Sequence, residues 1–426
     1  MKKVYAVAAL LVVMGGGGYF WVRDEAPSAD VQSWLQQLEA TPDESAAYLY
    51  LAGLDAPLEQ QPATLGAARL KAYQAWYVQH GAGDSSFAPD KQAQLKLPEG
   101  ADFCAIEAPD CLTALLAREP APLPGEQAAL LERYRHYLTL GDYHTLTSPS
   151  IAEPLSPLQY FSRANQLLTL QALQLAKAGD GAAALALLQD DVAQLRRQLA
   201  MADQLVQKMI LVAMLNRDLE WLAQLHRRGL APAPAPLAPL SEAERSLHAA
   251  FLREFGSGAA LFAELGHKEL GDFIGNETLG RLALLFVYKP QMTVNAVLPP
   301  FQQLSARSQL DPEAFQQAAQ AAAPLQEPPL SLRNYVGSVL LAIAVPDLNR
   351  YIGRLQDLDA KLKLVNLSSQ LPPGVPTAEQ LAALPESGNP YRPQEPPYWE
   401  AEQGRLCFSG PLEDRHSGRC VTLGAP

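Results

Sequence analysis

The sequence predicts a mainly α fold, with helical hairpins in two blocks followed by a small C-terminal antiparallel β-module tied by a disulfide. Three observations carry this expectation. Apolar residues recur at steps of three and four through long stretches between residues 29 and 370, the period of a helix that buries one face. A proline-rich run, Ala231 to Leu240 (APAPAPLAPL), splits those stretches into two. Beyond residue 371 the pattern changes to short β-prone runs between Gly- and Pro-rich turns, and two of the four cysteines lie among them. A chain of 426 residues is long enough for more than one core. The expected division is residues 1–25 as a membrane anchor or signal segment, 26–230 and 241–370 as helical domains, 231–240 as a linker, and 371–426 as the β-containing module.

The amino terminus sets the expected address. Lys2 and Lys3 precede an uncharged run from Val4 to Val22, and Arg23, Asp24 and Glu25 follow it. As a helix these 19 residues span roughly 28 Å, close to the hydrocarbon core of a bilayer at about 30 Å. The lysines before the run keep the amino terminus in the cytoplasm, and Tyr19, Phe20 and Trp21 form an aromatic belt at the far boundary. The expectation is a single pass of a bacterial inner membrane through residues 4–22, with the body in the periplasm. A cleaved secretory signal and a soluble periplasmic body form the alternative. Against it, the bulky stretch from Tyr19 to Arg23 stands where a peptidase needs small residues.

The first helical block starts with short helices over residues 29–80. Thr41-Pro42-Asp43-Glu44 reads as a capping box that starts a helix from Ala46 to Ala52, and a second helix is expected from Ala63 to His80. Tyr73, Trp76 and Tyr77 on it read as core aromatics. From Glu126 to Gly229 the pattern is helical hairpins, with Leu185, Leu188, Val192, Leu195, Leu199, Ala202 and Val206 as one apolar stripe. The segment Ala172 to Leu188 around Gly179 resembles half of a tetratricopeptide-like hairpin, but no second copy follows at the period of that repeat. His226, Arg227 and Arg228 close the last helix against its dipole, and Gly229 takes the left-handed cap.

The second block opens on a capping box at Ser241 and Glu244. Gly256-Ser257-Gly258 reads as a helix cap and turn, and Tyr288 to Asn295 as a polar stretch between helices, able to line a groove. Ser331 to Val345 is too short to span a bilayer and reads as a buried core helix. In the tail Thr377 caps a short helix, and Pro397 to Glu400, Arg405 to Phe408 and Arg419 to Leu423 read as three strands. The tail from Pro376 to Phe408 loosely resembles the C-terminal β-region of type II secretion pseudopilins. The chain departs from that family at its other end, where glycines close the apolar run and no Glu lies inside it, so the family is not assigned.

Cys104, Cys111, Cys407 and Cys420 fall as two local pairs, which in an exported protein predicts the disulfides Cys104–Cys111 and Cys407–Cys420. Neither pair has zinc-ligand spacing, so no metal is expected. P-loop, nucleophile-elbow, dinucleotide and H-E-x-x-H patterns are absent from the sequence, and no catalytic or cofactor-binding residue is assigned. Tyr134, His136, Tyr143 and His144 are the one constellation with chemistry in a short span. A net charge of −12, with no basic stripe, weighs against nucleic acid. The expected function is therefore a non-enzymatic, membrane-anchored periplasmic scaffold or interaction protein with an envelope protein partner. An envelope hydrolase, or an accessory part of a secretion or cell-wall machine, is the alternative.

Overall fold

The computed structural model describes residues 18–40, 42–81, 86–88, 94–103, 111–118, 123–265, 277–321, 330–344, 348–372, 374–414 and 417–424. Within them the chain is mainly helical with one small sheet. The Val4–Val22 segment lies outside the described residues up to residue 17; residues 18–22 are helical. No helix among the described residues is long and apolar enough to cross a membrane.

Helix α1 (Ala29–Glu39) packs on helices from the second half of the chain, α2 (Ala46–Ala52) and α3 (Pro62–His80) pack on each other, and the short α4 (Cys111–Leu116) follows. The start of α2 corrects the expected capping box. Ser45 is the N-cap, its Oγ accepting from the Tyr48 amide at 3.0 Å, and the Asp142 carboxylate takes the Ala46 and Ala47 amides at 2.6 and 3.0 Å. A carboxylate distant in sequence thus satisfies the orphan amides that the local box was expected to take. α2 and α3 touch backbone to backbone: a Cβ at Gly66 would lie 1.9 Å from the Leu49 carbonyl oxygen.

Helices α5 (Gly125–Thr139), α6 (Leu158–Lys177), α7 (Gly181–Met201) and α8 (Leu205–Arg227) make an up-and-down bundle, each packed on its sequence neighbour. The turn between α6 and α7 is as expected: Gly179 has φ +88°, and the Asp180 side chain caps α7 through the Ala183 amide. The single stripe expected from Leu185 to Val206 breaks after Met201. Asp203 leaves helical register to accept the Thr145 amide and hydroxyl at 2.8 and 2.6 Å, and Val206 ends up exposed.

The C-terminal part of the proline run is bound to Arg196 of α7 and to Asp359 and Asn366. The amide and carbonyl of Leu237 pair reciprocally with the Asn366 side chain, both at 2.8 Å, and the Leu240 amide donates to Asp359 at 2.8 Å. After it come α9 (Glu242–Arg245), α10 (His248–Glu264), α11 (Glu277–Val287), α12 (Pro290–Ser308) and α13 (Pro312–Ala321). The expected capping box of Ser241 and Glu244 is present. Gly256 and Gly258, read as a turn, lie inside α10; at Gly256 the close approach of Leu38 from α1 leaves no room for a Cβ.

A 3₁₀ turn (Leu332–Asn334) leads into α14 (Tyr335–Ala344). The buried helix expected over Ser331–Val345 is thus shorter, and it covers Leu341 but exposes Tyr335 and Val339. The long α15 (Asn349–Ser368) then packs along α8. The hydrophobic core runs without a break through α5–α8, α10, α12, α15 and the tail.

The tail carries α16 (Ala378–Ala382), with its capping box of Thr377 and Gln380, and strands β1 (Tyr398–Glu400), β2 (Arg405–Cys407) and β3 (Cys420–Thr422). The sheet is antiparallel in the order β1-β2-β3, with Tyr398 opposite Cys407 and Leu406 opposite Val421. Cys407 and Cys420 face each other directly and are disulfide-bonded. Cys104 lies outside the described residues, so the other expected pair is not placed. No described cysteine is free.

Candidate functional site

The strongest concentration of ionisable chemistry sits where α5, α6, α7 and α8 meet. Asp191 on α7 and Asp218 on α8 hydrogen-bond each other through their carboxyl groups. Tyr134 on α5 donates to both Asp191 oxygens at 2.9 and 3.1 Å. The Asn165 amide on α6 donates to Asp191 at 2.8 Å and to the two Asp218 oxygens at 3.2 and 2.9 Å. Arg217 donates Nη2 to the Asn165 carbonyl oxygen, while its Nε and Nη1 find no partner among the described residues.

Burial sets the electrostatics here. It pushes the Asp191 carboxyl up to about 6, against the hydrogen bonds from Asp218, Tyr134 and Asn165 that hold it down. Asp218 is driven well above the carboxylate range, by burial first and by the Asp191 charge second. Two carboxyl groups in contact cannot both ionise in a low dielectric, so the pair shares one proton, with Asp218 as the neutral donor. The remaining negative charge is matched by Arg217, whose own pKa is lowered by burial. The five side chains together are thus close to neutral.

This arrangement can hold helices in register, but it cannot reach a substrate. Tyr134, Asn165 and Asp218 are wholly buried and Asp191 is 1 % exposed. A buried polar network whose carboxyls, phenol and amide are paired with one another disfavours packings that would separate them, which is a specifying role.

Other buried polar groups join segments. Arg253 on α10 pairs with Glu153 in the loop between α5 and α6, and Glu153 also accepts from Thr147 at 2.5 Å and Gln204 at 3.0 Å. Burial raises the Glu153 carboxyl despite that arginine. Glu220 on α8 takes Lys361 of α15 at 2.7 Å and the Thr422 amide of β3 at 2.7 Å, and Lys361 and its other donors hold its pKa below the usual range in spite of burial. Asp357 of α15 accepts from Tyr391 at 2.6 Å and Arg419 at 2.9 Å, and burial nonetheless pushes it up to about 6. These last two carboxylates hold the β-module on α8 and α15.

The residues singled out in sequence distribute as follows. Tyr134 belongs to the buried network and Tyr143 is buried beside Asp203, whereas His136 is exposed with its ring 4.8 Å from Tyr50, and His144 donates from Nε2 to the Pro42 carbonyl at 2.9 Å. The four do not converge. Glu400, Cys407 and Cys420 form a cluster of metal-ligand types, but the two sulfurs bond each other and Glu400 is paired with Arg405. As a disulfide the cysteines offer no thiolate, so the cluster does not fit a metal.

The polar stretch Tyr288–Asn295 receives the chain that follows the apolar amino-terminal run. Asp24 caps α12 through the Gln291 and Met292 amides at 2.8 and 3.1 Å. Asn295 donates to Glu25 and to the Ala26 carbonyl, and accepts from the Ser28 amide at 3.1 Å. Trp21 donates to the Phe286 carbonyl at 2.9 Å, and Arg333 donates to the Arg23 carbonyl.

Sequence reasoning passed over the carboxyl pair, although a signal existed. Asp191 stands between Leu188 and Leu195, and Asp218 between Leu215 and Leu222, at steps of three and four that place each on an apolar stripe. A polar residue at a core position asks for a buried partner, and only the fold shows which. No protein-family model, curated protein or solved structure matches the chain.

Proposed function

We propose that the chain is a non-enzymatic scaffold or interaction protein of a bacterial envelope, anchored in the inner membrane through residues 4–22 with its body in the periplasm. The Cys407–Cys420 disulfide carries the reading. A bond between directly opposed strand positions persists in an oxidising compartment and is reduced in a cytosol. The uncharged run behind two lysines supplies a route to that compartment and a means of staying at the membrane.

The scaffold part rests on where the ionisable groups spend their chemistry. The carboxyls with the most altered environments, Asp191, Asp218 and Asp357, take their partners from other helices and from the tail, and are sealed within the core. Perturbed groups point to catalysis when they stand in a cleft, and to structure when they stand in a helix interface. Helical hairpins also offer long, rigid faces to a partner.

Affinity purification of the tagged full chain from detergent-solubilised membranes tests this reading. The expected result is stoichiometric recovery of one envelope protein, lost when the body is unfolded and regained on refolding. Recovery of the chain alone, together with a hydrolytic activity that follows it through purification, would contradict it.

A further inference from the structure

We infer that the body lies down on the bilayer. The face built by residues 19–21, α11, the 3₁₀ turn and the start of α14 sits in the lipid headgroup layer, and this inference rests on the anchor reading above. Leu282, Leu285 and Phe286 stand at one face of α11, at steps of three and four, and are 55 %, 51 % and 47 % exposed. Leu332 is 71 % exposed and Tyr335, three residues on, continues the same face. Elsewhere on the described surface, exposed large apolar residues such as Leu58, Val78 and Tyr398 are scattered along the chain, with Ile151 and Leu155 as one pair.

The geometry fixes the level of this face. Residues 18–22 are the described end of the apolar run and are helical, so on the anchor reading the bilayer begins within a turn of Phe20 and Trp21. Trp21 is hydrogen-bonded to Phe286 itself, and the Arg333 guanidinium lies 4.9 Å above the Phe20 ring. α11, the 3₁₀ turn and α14 pack on one another. The exposed residues of α11 and the turn therefore stand beside the exit point of the run, at the depth where aromatic rings and arginines of membrane proteins concentrate.

Charge agrees with that position. The chain has 45 acidic residues, yet Thr278–Leu310 and Pro328–Pro346 contain none, while they hold Arg281, Lys289, Arg307 and Arg333. Carboxylates stand at the borders of these stretches in the sequence, Glu277, Asp311, Glu327 and Asp347, while Asp24 is turned onto the α12 amides and Glu25 accepts from Asn295. An acidic body is repelled by anionic headgroups, and this face is poor in the carboxylates that would be repelled. A face that is apolar, aromatic and edged by arginine matches an interfacial helix surface.

The test places single tryptophans in the full chain, reconstituted in phosphatidylethanolamine–phosphatidylglycerol vesicles whose acyl chains carry bromine near the headgroups. Phe286→Trp and Leu332→Trp report on the face, and Tyr398→Trp reports on the β-module, which packs on α8 and α15. The extra emission of both face variants is expected to be quenched about twofold or more relative to that of Tyr398→Trp, as for interfacial residues. If the protein floats with the vesicles but the face variants are quenched no more than Tyr398→Trp, the body stands off the membrane; the inference then falls and the anchor stands. If the chain does not float with the vesicles, the anchor reading falls and takes the inference with it.

Discussion

At the scale of single residues, Asp191 and Asp218 occupy positions that leucines fill one turn before and after them. Because Asp218 is the neutral donor, Asp218→Asn keeps a donor toward Asp191 and an acceptor toward Asn165, and its cost near neutral pH is expected to be below about 1 kcal/mol. Asp191→Ala instead strands Tyr134, Asn165 and Arg217 in the core, at an expected cost of about 2–4 kcal/mol. Chemical denaturation of the two variants separates these cases; equal losses would show that no proton is shared. A polar residue inside an apolar stripe was visible in the sequence, but its partners were not. Asp191, Asp218 and Asn165 come from three helices, and no spacing rule links them. Asp142 is a similar case: it caps α2 from the far end of α5, while the local box that the pattern suggested does not start the helix.

Among elements, the contrast is between contacts that a period encodes and contacts that a close approach encodes. The capping box at Ser241, the helix cap at Thr377, the turn at Gly179 and the three strands of the tail follow from local chemistry, and each is found where the sequence puts it. Gly256 misled because a glycine pair reads as a turn, when the residue is small to admit Leu38. The same reasoning makes Gly66→Ala severe. Its methyl would meet the Leu49 carbonyl at 1.9 Å, forcing α2 from α3, and a loss of about 3 kcal/mol or more is expected in thermal melts. The β-module is held differently. The short loop closed by Cys407 and Cys420 contributes about 2–3 kcal/mol, while Glu220–Lys361 and Asp357–Arg419 attach the sheet to α8 and α15. Replacing both cysteines by alanine should therefore raise amide exchange across residues 398–423 and leave α5–α8 protected. Exchange rising equally throughout the bundle would mean that the tail is part of its folding unit.

For the whole molecule, the buried acids set a pH window. Asp191 and Asp357 are raised from 3.8 to about 6, so the folded state binds their protons more tightly than the unfolded chain. Stability from these groups is present at acid pH and is lost as pH rises from about 4 through about 6. Glu220 and Glu244 are lowered, by ion pairing with Lys361 and by hydrogen bonds from Arg196 and Ser241, and act with the opposite sign, losing their contribution as pH falls below their unfolded value of 4.5. The melting temperature should thus peak in acid solution, near pH 4, where the two opposed contributions cross, and be lower at pH 7.5 by several degrees, as a loss of roughly 1–3 kcal/mol for each raised aspartate would give. A melting temperature rising monotonically to neutrality would contradict this balance.

The central claim is a body held at a membrane on its oxidising side, and its most direct test is the fate of the tagged full chain in spheroplasts. A chain so placed stays with membranes through alkaline washing, loses its body to external protease, and has Cys407 and Cys420 resist thiol alkylation until reduced. A chain released by lysis without detergent, shielded from external protease and alkylated at both cysteines without reduction would contradict it.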